Sequence, residues 1–225
     1  MKLYQTPLST HCRPIVAFLS EIAAPYENVP IDLSKGEHKT PEFRALNPSE
    51  AVPVLEDDGF VLAESSAILK YLAEKTNSPL YPRDLKQRAR VNERMDWFNT
   101  AFEHHMAFEM LYPQILPHHA RPTAELTRAT TEWGRERTER LLGVLDKHLL
   151  SASGFIAGDA LTIADLFGAS FASLPKVIGA RYGAYPRVAA WLDRIESRPS
   201  WQQANGAFLG LQKALEGKPF VVFGN

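Results

Sequence analysis

Strand-like patterning is confined to the first third of this chain, which restricts the fold to a small sheet followed by a large body of helix. Within residues 1–78, the runs Lys2-Leu3-Tyr4-Gln5, Tyr26 to Ile31, Val52 to Glu56 and Phe60-Val61-Leu62 read as strands. Between the first two lies CRPIVAFLSEIAA (12–24), whose Ile15, Phe18, Leu19 and Ile22 recur at helical spacing. Pro14 fits its first turn, where a missing N–H costs little. Two strands joined through a crossover helix run parallel, whereas Asp57-Asp58-Gly59 signals a hairpin between the last two. The sheet must therefore be mixed. Asp32 to Asn47, with Gly36 and Pro41, reads as a loop and one short helix, and Glu64-Ser65-Ser66 opens another helix ending near Thr76.

Asn77-Ser78-Pro79-Leu80-Tyr81-Pro82 breaks both periodicities and marks a domain boundary. Beyond it the pattern is helical at 85–112, 123–151, 162–174, 186–197 and 199–215. The expected fold class is α/β plus all-α: a βαβ-α-ββα mixed sheet over 1–78, then an all-helical domain over 85–225. Within the latter, Thr162 and Asp165 have capping-box spacing and Leu161 can pack on Leu166 as a staple.

The 225 residues, 45% of them apolar, suffice for a full core. With 25 basic and 26 acidic residues and no long run of one sign, there is no electrostatic footprint for nucleic acid. A single cysteine allows no internal disulfide. No apolar stretch approaches a membrane span, and Pro7, Ser9 and His11 interrupt the N-terminus too early for a secretory signal. A soluble cytoplasmic protein is expected.

Candidate chemistry concentrates between the first strand and the first helix, in Leu8-Ser9-Thr10-His11-Cys12-Arg13-Pro14. A hydroxyl-rich loop entering a helix N-terminus aims backbone N–H groups and a positive dipole end at whatever lies above it. Anions and incipient thiolates are favoured there. Ser9 is the leading candidate to hold one, with Thr10 and Cys12 as rivals.

Taken in order, Ser9-x-x-Cys12-Arg13, Gly36-Glu37-His38-Lys39, Asn47-Pro48, Val52-Pro53, Glu64-Ser65-Ser66-Ala67-Ile68 and Leu161-Thr162-Ile163-Ala164-Asp165 resemble the landmarks of the cytosolic glutathione transferases. The likeness is greatest to the serine-type delta, theta and phi classes. It implies a thioredoxin-like first domain, a homodimer, glutathione as co-substrate and no metal. It also implies conjugation of the glutathione thiolate to small hydrophobic electrophiles, as in detoxification. Ser9 would donate to the sulfur. Val52, before a cis-Pro53, would pair with the cysteinyl backbone. Glu64 and Ser65 would take the γ-glutamyl end, and His38 and Lys39 the glycyl carboxylate. Two positions depart from the delta pattern: Glu50 replaces a histidine and Ser66 an arginine. Glu50 would repel the glycyl carboxylate unless turned away or paired.

Phe102, His105, Phe108, Glu109 and Tyr112 share a helical stripe and are candidates for the electrophile pocket, although such a stripe is first of all core. Neither His104-His105 nor His118-His119 is expected to hold a metal, because adjacent histidines on a helix point apart. Competing functions are glutathione-dependent peroxide or disulfide reduction, through Cys12 or Ser9, and a non-catalytic glutathione-binding scaffold.

Overall fold

A computed structural model describes residues 1–225 apart from Ser151, Ser153 and Asn225. Four strands form one sheet: β1 (Lys2–Gln5), β2 (Glu27–Pro30), β3 (Val54–Asp57) and β4 (Phe60–Ala63), in the order β2-β1-β3-β4. β1 runs parallel to β2, as the crossover requires, and antiparallel to β3. The hairpin is tighter than the sequence suggests: Asp57 pairs with Phe60 inside the ladder, leaving Asp58-Gly59 as the turn. Both have positive φ, 50° and 84°, as a type I′ turn demands.

Helix α1 (Arg13–Glu21) crosses from β1 to β2, α2 (Pro41–Leu46) follows two short 3₁₀ turns, and α3 (Ser65–Lys75) closes the domain. The inner face of α1 buries Ile15, Phe18 and Leu19 completely. Against it pack Leu3 and Leu55 from the sheet and Ile68, Leu69 and Leu72 from α3.

Among the described residues, all the remaining elements are helical. α4 (Leu85–Trp97) runs on through two π-turned stretches, Phe98–Phe102 and His104–Leu111, into α5 (Tyr112–Ile115), where the helical segment ends. α6 (Ala124–Val144), α7 (Ile163–Ala172), α8 (Pro186–Glu196) and α9 (Pro199–Leu215) complete the fold. Every residue of α7 is buried. Gly168 on α7 lets Phe98 approach so closely that a Cβ there would lie 2.3 Å from its ring. Among the described residues, no helix is long and apolar enough to cross a membrane.

The capping box of α7 does more than end a helix. Asp165 is fully buried, and its Oδ2 accepts from the Thr162 N–H at 2.9 Å and the Thr162 hydroxyl at 3.0 Å. Its Oδ1 accepts from the Ile156 N–H at 2.9 Å and the Trp191 Nε1–H at 3.0 Å. One carboxylate thus ties the start of α7 to the preceding loop and to α8. Burial pushes its pKa up, while all four donors act to keep it ionised. Thr162→Ala, which removes one donor, is expected to cost about 1 kcal/mol. Asp165→Ala strands several buried donors and should cost about 3 kcal/mol or more. Urea denaturation of the two variants measures the difference.

Candidate functional site

The loop between β1 and α1 places its consecutive side chains on different neighbours. Ser9, half-buried, accepts the Cys12 N–H on Oγ at 3.3 Å, while its carbonyl takes the amides of Cys12 and Arg13. The Thr10 hydroxyl, buried, lies 3.4 Å from the Tyr112 hydroxyl on α5. His11 Nδ1 is 3.1 Å from Ser65 Oγ at the start of α3, and its Nε2 is 2.6 Å from Glu103 Oε1. The Cys12 sulfur is turned inward with no exposure. Burial raises its thiol to about 11, against weaker lowering by hydrogen bonds.

Arg13 anchors the loop from below. Its guanidinium is buried between α7 and α9, donating to Asn205 Oδ1 at 2.6 Å, to the Ser170 carbonyl and to Ser173 Oγ at 3.4 Å. The Phe208 ring stacks over it at 3.6 Å. Its Nε is buried with no partner among the described residues, and desolvation lowers its pKa to about 9, still charged at neutral pH. Each hydrogen bond to the charge is worth about 1.5–3 kcal/mol, and the ring about 2. Together they are comparable to the several kcal/mol lost on desolvation, so the group fixes position more than it adds net stability.

The residues expected to hold the two ends of a tripeptide lie on separate elements. The Val52–Pro53 peptide is cis and leads into β3. Glu64 is exposed and holds φ +66° as the residue preceding α3, whereas Ser65, the first residue of that helix, is buried. His38 and Lys39 share a 3₁₀ turn, Glu37–Lys39, with His38 Nδ1 buried and unpaired among the described residues. Glu50 is paired: its Oε1 lies 2.7 Å from Arg44 Nε on α2, which offsets the repulsion its sequence position suggests.

The stripe proposed for the second substrate divides. Phe102 is fully buried against Trp97 and Phe98 and is core rather than pocket wall, because α7 covers that side of the helix. Phe108 is 40% exposed and, with Tyr112 and His119, forms an aromatic group. His105 turns to Glu109, at 2.7 Å. The tail is pinned where Gln114 exchanges hydrogen bonds with the Val221 backbone at 2.8 and 2.9 Å. Phe223 is buried against Tyr182 and Tyr185, and Phe208 under Arg13, so these two aromatics are packing groups. A concavity lined by Lys176, Arg181 and Lys213 contains none of these residues; donor chemistry, not volume, locates the candidate site.

Sequence reasoning missed His11 and Glu103. Neither carries a local signature, and their contact spans 92 positions. The only available signal was a titratable residue inside a loop already singled out.

Residues 1–74 match the glutathione S-transferase N-terminal domain and residues 100–199 the glutathione S-transferase C-terminal domain. The chain belongs to the glutathione S-transferase family. It is 34% identical to bovine glutathione S-transferase theta-1 over 201 residues, covering 88% of this chain and 82% of that protein. The structure of human glutathione transferase theta-2 in complex with glutathione and an unknown ligand superimposes with a TM-score of 0.82 at 29% identity, over 98% and 92% of the two chains. A delta-class glutathione transferase from Nilaparvata lugens superimposes with a TM-score of 0.81 at 31% identity, over 95% and 99%.

Two outcomes are expected from this geometry. Native Cys12 should resist a thiol reagent such as dithionitrobenzoate and react only after denaturation, because the thiol is both buried and un-ionised at neutral pH. Arg13→Ala should lower stability by about 3 kcal/mol in urea, since it opens a cavity and leaves Asn205 and the Ser170 carbonyl without their donor.

Proposed function

We propose that this transferase conjugates the glutathione thiolate to small hydrophobic electrophiles, with Ser9 donating to the sulfur. The observation that carries the reading is the setting of the Ser9 hydroxyl. Its oxygen already accepts from the Cys12 N–H, so its single proton remains to be given to another acceptor. A thiol of pKa about 8.5 is only a few per cent ionised at neutral pH, and a two-unit drop requires about 2.7 kcal/mol of preferential thiolate binding. A hydroxyl bond to an anion, about 1.5–3 kcal/mol, plus a helix N-terminus, about 0.3–1, supplies that. Ser9 needs no general base for this role. A thiol reductase through Cys12 is disfavoured by the burial that raises its pKa to about 11.

Around the sulfur, Ser65 and the first amides of α3 suit the γ-glutamyl carboxylate and Glu64 its ammonium. Val52, before Pro53, borders the cysteinyl part, and His38 and Lys39 suit the glycyl carboxylate. Phe108 and Tyr112 form the side facing the electrophile. His11 is a positioning residue for Ser65. Its Nε2 is held 2.6 Å from Glu103 Oε1. Its Nδ1, 3.1 Å from Ser65 Oγ, orients that hydroxyl for the γ-glutamyl carboxylate. A homodimer in the cytoplasm completes the reading, and sedimentation of the purified protein tests the dimer.

Ser9→Ala is expected to lower kcat/KM with an aryl halide by about 10- to 100-fold, the loss of one hydroxyl bond to an anion. The pKa of bound glutathione, followed by thiolate absorbance, should rise in parallel. Thr10→Ala and Cys12→Ala should leave that pKa in place; an unchanged value in Ser9→Ala would sink the assignment. His11→Gln should raise the glutathione KM while altering kcat less. Retention on glutathione-agarose without turnover on either an aryl halide or a peroxide would point instead to a scaffold.

A further inference from the structure

Outside the glutathione site, the π-turned stretch His104–Leu111 brings together three donors that a regular helix would separate. In an α-helix His105 and Glu109, four apart, share a face, but His104 points elsewhere. The wider π turn, with its i→i+5 bonding, aligns His104 with Glu109 as well. His104 Nε2 lies 3.3 Å from Glu109 Oε1 and His105 Nδ1 lies 2.7 Å from Glu109 Oε2. All the donor atoms fall within 4.8 Å of one another. The expectation that adjacent histidines diverge therefore fails here, and the cause is the backbone.

We propose that His104, His105 and Glu109 form a binding site for a divalent transition-metal ion of the zinc type. Bonds of about 2.0–2.1 Å to a tetrahedral ion separate its donors by roughly 3.3 Å, within the spread already present. Two imidazoles and one carboxylate are a borderline donor set that suits zinc or cobalt over magnesium or calcium. Side-chain exposure divides usefully: 15% for Glu109 and 23% for His105, which are walled in, against 60% for His104, which leaves a path for the ion and a water as fourth ligand.

The backbone that carries Glu109 is held from behind. Gly134 on α6 meets it so closely that a Cβ would lie 2.6 Å from the Met110 nitrogen and 2.7 Å from the Glu109 Cβ. The carboxylate is thus presented from a fixed position. Glu109 is hydrogen-bonded to His105 and has His104 Nε2 3.3 Å from its other oxygen, so the donors are already gathered. An ion needs to replace only those contacts. The proposal does not depend on the glutathione reading, because none of the three residues is assigned to glutathione.

The test uses untagged, metal-free, full-length protein in the absence of glutathione. Cobalt(II) is titrated by visible absorption and zinc(II) by calorimetry. Saturation at one ion per chain is expected, with d–d bands of tetrahedral or five-coordinate intensity and a rise in melting temperature with zinc. His104→Ala and Glu109→Gln should each weaken binding by roughly tenfold or more. A double replacement of His118 and His119 by Ala should leave it unchanged. His104→Ala carries the test if Glu109→Gln proves unfolded, since His104 is the most exposed of the three. Absence of saturable binding, octahedral hexaaqua-like spectra only, affinity unchanged in His104→Ala, or affinity lost only with His118 and His119 would overturn the proposal.

Discussion

The fold depends on a single positive charge buried where its two halves meet. Arg13 belongs to the first helix, yet every acceptor it uses comes from α7, from the residue just after it, or from α9. Among the described residues it has no carboxylate within hydrogen-bonding distance; an amide oxygen, a hydroxyl, a carbonyl and an aromatic face share the charge instead. Such a group tolerates little displacement, because any shift exposes an unsolvated cation. Since its own amide is bonded to the Ser9 carbonyl, the placement of the guanidinium is also the placement of the loop. A second tie, Glu21 with Arg198 and Ser200, holds the far end of α1 to α9, so the helix cannot pivot about Arg13.

This explains why four successive side chains can have four separate tasks. A free loop would sample many rotamers and backbone states, at about 1–2 kcal/mol of entropy per residue on ordering. Here that cost is met by packing at Cys12 and Arg13, which are buried. The more accessible Ser9 and His11 are left with defined directions. The fully buried thiol serves as filler.

Much of the architecture was legible in local chemistry. Pro14, Asp58-Gly59, Pro79, Pro82 and the Thr162-x-x-Asp165 spacing mark boundaries because each acts within a few residues of itself. Helical limits beyond residue 85 follow from proline and apolar spacing for the same reason. What escaped was whatever depends on partners far along the chain. The role of Arg13 rests on Ser170 and Asn205, and that of His11 on Ser65 and Glu103. Phe102 could not be divided from Phe108 by spacing, since only the arrival of α7 decides which aromatic is covered. Nor is the π character of 104–111 written in the apolar pattern, because Met106 and Met110 keep the core face at an interval either helix accommodates.

The contact between His11 and Glu103 bears on modularity. A thioredoxin-like unit is often regarded as portable, able to be joined to new partners as a self-sufficient cassette. Here one of its loop residues is completed by a carboxylate from the other domain, 2.6 Å away and almost wholly enclosed. Recombination that exchanged the helical half for one lacking an acid at that place would transmit the fold but orphan the imidazole. A chimera that keeps His11 therefore has to keep an acid at position 103 as well.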